Sequence, residues 1–263
     1  MFNILIFSKD RAAQLDALLR SIQENFVNYK AFKFNVLYTY SCDFYKQGYQ
    51  LVKSRFPEVD FILEAYFKGD TSKIIQDKNR FTMFGHDDTI FINKFDTTSS
   101  TFSSFVRGQD VVSLSLWMHP GMTHSYGKGC RIDLPEFAAD GSWMLTGQRG
   151  DWGKPFSTNF NIFKTKDVIN VIRHEEYISV NLLEWFISRV NFKKERALCF
   201  SAPIVVNIPV NSVQSVTMNR AAEISLDHCN VQYLNNKKIV VDIDKSKLNS
   251  TQIEAKFRFE NYV

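Results

Sequence analysis

The sequence predicts an α/β fold whose central sheet is mixed but mostly parallel and flanked by helices, with a small C-terminal appendage. Three observations predict it. Between residues 2 and 92, short apolar runs alternate three times with helix-length amphipathic segments. The connections between them are only a few residues long, which suits strand–helix–strand units with right-handed crossovers. The run Phe81-Thr82-Met83-Phe84 is apolar enough to be a strand covered on both faces.

Each element follows from its pattern. Phe2 to Phe7 reads as the first strand, and Ser8-Lys9-Asp10-Arg11 turns the chain, with Ser8 or Asp10 suited to cap the next helix. Leu15, Leu18, Leu19, Ile22 and Phe26 give that helix one apolar face. Phe34 to Tyr40 is the second strand, Asp43 the cap of a second helix, and Asp60 to Glu64 a short third strand. Asp70-Thr71-Ser72 suits the cap of a helix carrying Ile74 and Ile75, which leads into the fourth strand at Phe81.

Beyond Ile92 the regularity weakens. Thr98 to Arg107 reads as a helix and Val111 to Trp117 as a strand. Met118 to Ser157 is glycine-rich and irregular, a composition more typical of functional loops than of filler. Thr158 to Phe163 reads as a strand, and Lys166 to Arg173, Val180 to Val190 and Asn211 to Ala222 as helices. The last forty residues hold one or two strands. The expected organisation is a domain over 1–222, with a nucleotide-binding half at 1–92 and an acceptor half at 93–222, and the appendage at 223–263.

Composition narrows the function. With 44% hydrophobic and 23% charged residues the 263-residue chain is an ordinary globular one. A net charge of +4, from 32 basic and 28 acidic residues spread evenly, argues against a nucleic-acid partner. Cys42, Cys130, Cys199 and Cys229 are widely spaced and suggest neither a disulfide framework nor structural zinc. No run approaches the ~18 apolar residues of a membrane span, and no signal peptide is recognisable, so a soluble protein of the cytoplasm is expected.

The strand ends Ser8 to Arg11, Tyr40 to Asp43, Glu64 and His86 to Asp88 fall on one sheet edge, where open α/β sheets bind ligands. Two adjacent carboxylates there, Asp87 and Asp88, suit a hard divalent cation carrying a diphosphate. Gly85-His86-Asp87-Asp88 is equally good surface-turn chemistry. A dinucleotide fingerprint and a phosphate-binding P-loop are both missing.

Four stretches carry a family resemblance: Ile4 to Arg11 with Gln14-Leu15 and Leu18-Leu19; Val36-Leu37-Tyr38 through Gly48-Tyr49; Met83 to Phe91; and Asp151 to Ser157 with Asn159, Asn181 to Glu184 and Asn207 to Asn211. In order and spacing they resemble nucleotide-sugar glycosyltransferases of the GT-A fold, of the compact type found in bacterial surface-glycan loci and in large DNA viruses that glycosylate their capsids. The resemblance implies a nucleoside-diphosphate sugar donor, UDP-linked, and a glycan or glycoconjugate acceptor, in the host cytoplasm if the source is viral. It implies a metal motif at His86-Asp87-Asp88, with His86 where the first aspartate is usual. Histidine ligates Mn²⁺ better than Mg²⁺, so Mn²⁺ is the expected cofactor, with Mg²⁺ second.

On that reading Asp88 and His86 hold the metal, while Ser8, Lys9, Arg11, Tyr40, Asp43, Glu64 and Asp87 contact nucleotide and diphosphate. The acceptor base is Asp151, then Asp140, then Glu136. Trp117, Trp143 and Trp152 suit sugar stacking or core, and His119 with His124 makes a weak zinc pair. His174, His228 and the Lys193-Lys194 pair read as solvated surface. The alternative function is a catalytically silent nucleotide- or carbohydrate-binding module, which His86 favours. A nuclease or phosphatase lacks the basic surface and further carboxylates it would need.

Overall fold

A computed structural model describes residues 2–125, 129–154, 157–189, 194–208, 224–253 and 255–262. The chain opens with β1 (Phe2–Lys9), in which six consecutive residues are buried. Asp10 then takes a left-handed conformation, φ 57°, and turns the chain into α1 (Ala12–Asn25). The expected caps are not used. Ser8 is still in the strand, Arg11 is the N-cap residue, and no side chain caps the helix. Asp10 Oδ1 instead accepts a 2.7 Å bond from Ser41 N–H, beyond the end of β2 (Phe34–Thr39).

Asp43 begins α2 (Asp43–Arg55) rather than capping it. After β3 (Asp60–Leu63), α3 (Phe67–Ile74) starts earlier than the Asp70-Thr71-Ser72 signal suggested. Asp70 reaches back from inside the helix, and its Oδ2 accepts bonds from the Ala65 and Tyr66 amides, both 2.9 Å. A carboxylate in the first turns satisfies free amides from either side of the cap, which is why the signal misled by a turn. β4 (Phe81–His86) and β5 (Thr89–Phe91) follow, separated by Asp87-Asp88 alone. Next come α4 (Ser100–Arg107), capped by Ser99, and β6 (Val111–Ser115).

The glycine-rich region contains β7 (His124–Ser125), β8 (Cys130–Arg131), β9 (Ser142–Met144) and a 3₁₀ turn over Gly150–Gly153. β10 (Asn161–Lys164), α5 (Thr165–His174), α6 (Val180–Ser188), β11 (Arg196–Cys199) and β12 (Val205–Asn207) complete the main body. The C-terminal segment is α7 (Leu226–Leu234) with the hairpin β13 (Lys237–Asp242) and β14 (Lys256–Asn261). β11 and α7 were not anticipated. Val190 and the expected helix at Asn211 to Ala222 lie outside the described residues.

The main sheet has eight strands among the described residues, ordered β3-β2-β1-β4-β10-β6-β11-β9. β3, β2, β1 and β4 run parallel. β10 is inserted antiparallel between β4 and β6, β11 is parallel to β6, and β9 closes the edge antiparallel. The order reverses at β1, whose neighbours are β2 and β4, so the crevice of an open sheet forms at their C-terminal ends. Alternation along the strands divides the core. Ile4, Ile6, Met83 and Ile162 pack with α1, α2 and α4, while Leu5, Phe7, Phe84 and Phe163 pack with Phe67, Val168, Ile172, Leu183 and Ile187 of α3, α5 and α6. No helix among the described residues is long and apolar enough to cross a membrane.

The C-terminal segment packs on α1 and α2 around Asp16, a fully buried carboxylate. Asp16 accepts bonds from Arg20 Nε at 2.8 Å, Arg55 Nη1 at 3.5 Å, Tyr233 Oη at 2.9 Å and Tyr262 Oη. The Arg55 guanidinium also stacks on the rings of Tyr233 and Tyr262, 4.5 and 3.6 Å from their centroids. Removing one partner of a buried ion pair strands the others, which costs about 3–5 kcal/mol. Asp16→Ala is therefore expected to lower the unfolding free energy measured in urea by that much, whereas Tyr262→Phe, which deletes one hydroxyl, costs about 1 kcal/mol.

Candidate functional site

The ends of β1 and β4 lie side by side, with Phe7 in register with His86. Above them opens a cleft of about 600 Å³, lined by Ser8, Lys9, Arg11, Glu64, His86, Asp87, Asp88, Trp117, Asp151, Lys154 and Glu184 among others. It is walled by Ile178 to Asn181 at the start of α6 and by Asn207 and Gln252.

Asp87 is buried at the floor, 4% exposed. Its Oδ2 accepts from Ser8 Oγ at 2.7 Å and from Lys9 N–H at 3.3 Å, and its Oδ1 from Arg11 Nη1 at 3.1 Å. The Ser8 hydroxyl spends its proton on Asp87, so it accepts from the buried Tyr49 hydroxyl 2.7 Å away, which in turn accepts from Arg11 N–H. Arg11 Nη1 also reaches Asp88 Oδ2 at 3.3 Å. Burial works against the Arg11 charge, but the two carboxylates outweigh it and raise its pKa. Burial likewise pushes the Asp87 carboxyl up, against the pull of Arg11. Asp88 is partly exposed to the cleft, its side chain 27% accessible.

On the other side of Asp87, His86 Nε2 lies 2.5 Å from Thr158 Oγ1. Thr158 is fully buried, and both its amide and its hydroxyl donate to Glu184 Oε1, at 2.7 and 2.8 Å. The path between β4 and Thr158 depends on Gly85. A Cβ there would stand 2.3 Å from the ring of Phe160, which is buried with φ 52° and bonds Phe84 O through its own amide.

Asp151 lines the cleft from the 3₁₀ turn, its side chain 29% accessible and Lys154 Nζ 3.8 Å away. Its neighbour Trp152 is fully buried and anchors that turn. The Trp152 ring meets Trp143 and Phe137 edge-on at 5.0 and 5.4 Å, and Trp143 Nε1 donates to Trp152 O at 2.9 Å. Trp143 and Trp152 are thus core rather than sugar platforms, while Trp117 lines the cleft.

Other expected site residues lie elsewhere. Asp43 is solvent-exposed and pairs with Lys46, Tyr40 packs near Tyr38, and neither lines the cleft. Nor do Asp140 and Glu136. Asp140 is held below the usual carboxylate range by the Ser142 hydroxyl and amide, with Arg196 nearby. Glu64 does face the cleft, pushed up by burial and by Asp70 and drawn down by Lys9.

His119 makes no zinc pair. Its Nδ1 accepts from Gly121 N–H, and Nε2 lies 2.7 Å from Leu248 O. Lys194 is mostly buried against Asp167 rather than solvated, and Lys193 lies outside the described residues. All four cysteines are free. Thr158, Glu184 and Tyr49 were not singled out from the sequence. Glu184 and Tyr49 lie in the stretches that carry the resemblance, and Thr158 only at the start of the expected strand that follows Ser157.

Three basic side chains (Lys9, Arg11, Lys154) face five carboxylates (Glu64, Asp87, Asp88, Asp151, Glu184) across the cleft, an excess of two negative charges. A diphosphate entering alone meets net repulsion, and one entering with a divalent cation does not. No three His, Cys, Asp or Glu side chains among the described residues form a closed metal cage. An ion would therefore complete its shell from phosphate oxygens and water, which is how Mg²⁺ is commonly held at substrate phosphates. Asp88, partly exposed, and His86, which lines the cleft, offer donor types that such an ion takes. Asp87 does not fit such an ion, because both its oxygens are engaged by Ser8, Lys9 and Arg11. Trp117 Nε1, Asn161 Oδ1, Asn207 Oδ1 and Gln252 Oε1, all from cleft-lining residues, have no protein partner among the described residues. Each costs about 1–3 kcal/mol unless water or a ligand satisfies it.

No family model matches the chain. It is similar to the bifunctional glycosyltransferase pgtA of Dictyostelium discoideum, with 25% identity over 294 aligned positions covering 96% of this chain and 38% of that protein. Among solved structures it is similar to S. aureus TarS residues 1–349 in complex with UDP-GlcNAc (TM-score 0.44, 13% identity, 76% of this chain, 58% of that one). It is also similar to the mannosyltransferase PcManGT of Pyrobaculum calidifontis in complex with GDP-Man and Mn²⁺ (TM-score 0.39, 10% identity, 63% of this chain, 45% of that one). The chain spans less than two thirds of these relatives' lengths. Over nearly its whole length the chain is a distant relative of a glycosyltransferase.

Arg11→Met leaves Asp87 buried without its cation. The expected loss is about 3–5 kcal/mol in chemical unfolding. Arg11→Lys restores only part of it, since the ammonium sits on a different stem and lacks the planar, weakly hydrated guanidinium suited to buried ion pairs.

Proposed function

We propose that the chain is a glycosyltransferase that moves a sugar from a nucleoside-diphosphate sugar, UDP-linked in the first instance, onto a glycan acceptor. The observation that carries this reading is the cleft at the β1/β4 switch point, where Asp88 and His86 stand between the nucleotide edge and the Asp151 turn. The relationship to a glycosyltransferase over nearly the whole chain supports it.

The residues divide by role. Lys9 and Glu64, at the ends of β1 and β3, face the nucleotide. Arg11 and Asp87 hold the floor rigid. Asp88 and His86 would hold a divalent cation, Mn²⁺ in preference to Mg²⁺ because of the imidazole. When bound, that ion supplies Lewis-acid stabilisation of the leaving diphosphate.

Asp151 is the base that takes the proton of the acceptor hydroxyl as it attacks the anomeric carbon, in the inverting form of the reaction. Its position on a turn anchored by buried Trp152 gives it a fixed reach into the cleft. Asp140, exposed and outside the cleft, is set aside for this role. The unpartnered polar atoms of Trp117, Asn161 and Asn207 suit the hydroxyls of a sugar.

Two measurements test the reading. UDP at a hundredfold excess over Kd contributes about 2.7 kcal/mol, a rise in Tm of roughly 5–11 °C for a chain of this size. The rise is expected with Mn²⁺, lost in EDTA and lost in Asp88→Ala. Unchanged melting with every nucleoside diphosphate and cation tried would sink the proposal. Asp151→Asn is expected to keep the UDP shift while slowing donor-sugar turnover by about 10²–10⁴-fold. An Asp151→Asn enzyme with normal turnover removes Asp151 from the mechanism.

A further inference from the structure

The contact between His86 and Thr158 carries a proton count. The Thr158 hydroxyl has one proton and donates it to Glu184 Oε1 over 2.8 Å. The same carboxylate oxygen holds the Thr158 amide at 2.7 Å, so the threonine is gripped at two points and its hydroxyl is not free to turn away. The ring atom of His86 that faces Thr158 Oγ1 is 2.5 Å from it, too close for a ring carbon, so the ring is seated with Nε2 toward the threonine. With its proton committed to Glu184, Thr158 Oγ1 can only accept, and Nε2 must therefore be the protonated nitrogen. No hydrogen bond to Nδ1 from a protein group is found among the described residues.

We propose that Glu184 and Thr158 are positioning residues that lock His86 in its Nε2–H tautomer and so present Nδ1 as the nitrogen that binds a divalent cation at the cleft. What Nδ1 binds rests on the function proposed above; which nitrogen carries the proton does not. The arrangement places a carboxylate behind a ligating imidazole, with a hydroxyl between them. Such support fixes ring orientation and raises ligand basicity, and its loss commonly weakens metal binding by 10–100-fold. The site gains a nitrogen donor without a negative charge in a cleft that already has an excess of carboxylates. That selects Mn²⁺ over Mg²⁺, which takes oxygen ligands by preference. Phe160, held against Gly85 with φ 52°, fixes the path of the chain that brings Thr158 to His86.

The test reads the tautomer and metal affinity separately, and neither readout is activity. In metal-free, nucleotide-free protein labelled with ¹⁵N-histidine, the His86 signal is assigned by its loss in His86→Gln. A long-range ¹H–¹⁵N spectrum at about pH 8, above the ordinary histidine range, is expected to show the Nε2–H form. Thr158→Val, which cannot accept the bond, is expected to lose the single tautomer and to weaken Mn²⁺ binding with UDP by about 10-fold or more in calorimetry. Thr158→Ser, which keeps the hydroxyl, restores both and controls for folding, and Mg²⁺ binding moves less than Mn²⁺ binding across the series.

An Nδ1–H signal in the wild type overturns the lock even if Mn²⁺ binds. Thr158→Val with unchanged tautomer and unchanged Mn²⁺ affinity overturns it as well. A wild type with the Nε2–H form that takes up no Mn²⁺ in the presence of UDP overturns the coordination by Nδ1, and the metal reading above with it.

Discussion

The site depends on one buried ion pair. Asp87 and Arg11 meet where β1 and β4 end, with Ser8 and Tyr49 completing the shell. The residues come from the two sides of the switch point, so the pair ties the sheet together where its strand order reverses. A carboxylate this deeply buried is tolerable only when its oxygens are fully satisfied, and here they are. The consequence is a division of labour between adjacent aspartates. Asp87 is spent on structure, while Asp88, one residue on, meets Arg11 through Oδ2 and stays partly exposed to the cleft.

The cleft is held from several further directions. Asp10 and Phe160 both take left-handed backbone conformations, and both lie within a few residues of the cleft. Non-glycine residues in that region carry a cost of about 1–3 kcal/mol, which persists only where surrounding packing over-determines it. Phe160 has that packing in Gly85 and in its amide bond to Phe84 O. Asp10 has it in Ser41 N–H and Thr39 O. The turn that bears Asp151 is held by three interlocked aromatic rings, so that an irregular glycine-rich segment still presents Asp151 from a fixed point.

The C-terminal segment adds support at longer range. Its two tyrosines close over Asp16 on α1, the helix that begins directly after Arg11. Buried charge thus recurs on both sides of α1, once at the cleft and once beneath the hairpin. In each case a guanidinium meets a buried aspartate; tyrosine hydroxyls bond Asp16 directly, whereas at the cleft Tyr49 reaches Asp87 only through Ser8.

Much of this was legible in the residues themselves. Apolar periodicity marks which face of each segment is buried, because burial is a local property of spacing, and it located the strands and helices up to Ile92 and the edge bearing Ser8, Lys9, His86 and Asp88. Cap positions were less legible, since Asp70 serves the amides of a helix start from inside the helix. β11 is too short to show a period, and the tryptophans at 143 and 152 are chemically as fit for a sugar as for each other.

Side-chain partnership was not legible at all. His86, Thr158 and Glu184 are 72 and 26 residues apart, and they meet only because β10 enters the sheet antiparallel beside β4. The sequence by itself placed Ser8, Lys9, Arg11, Glu64 and His86 to Asp88 at the cleft, though it put Tyr40 and Asp43 there as well. Only the tertiary structure decided which of them are consumed in holding it and which remain free to act, because a buried polar group's role is set by the neighbours that satisfy it.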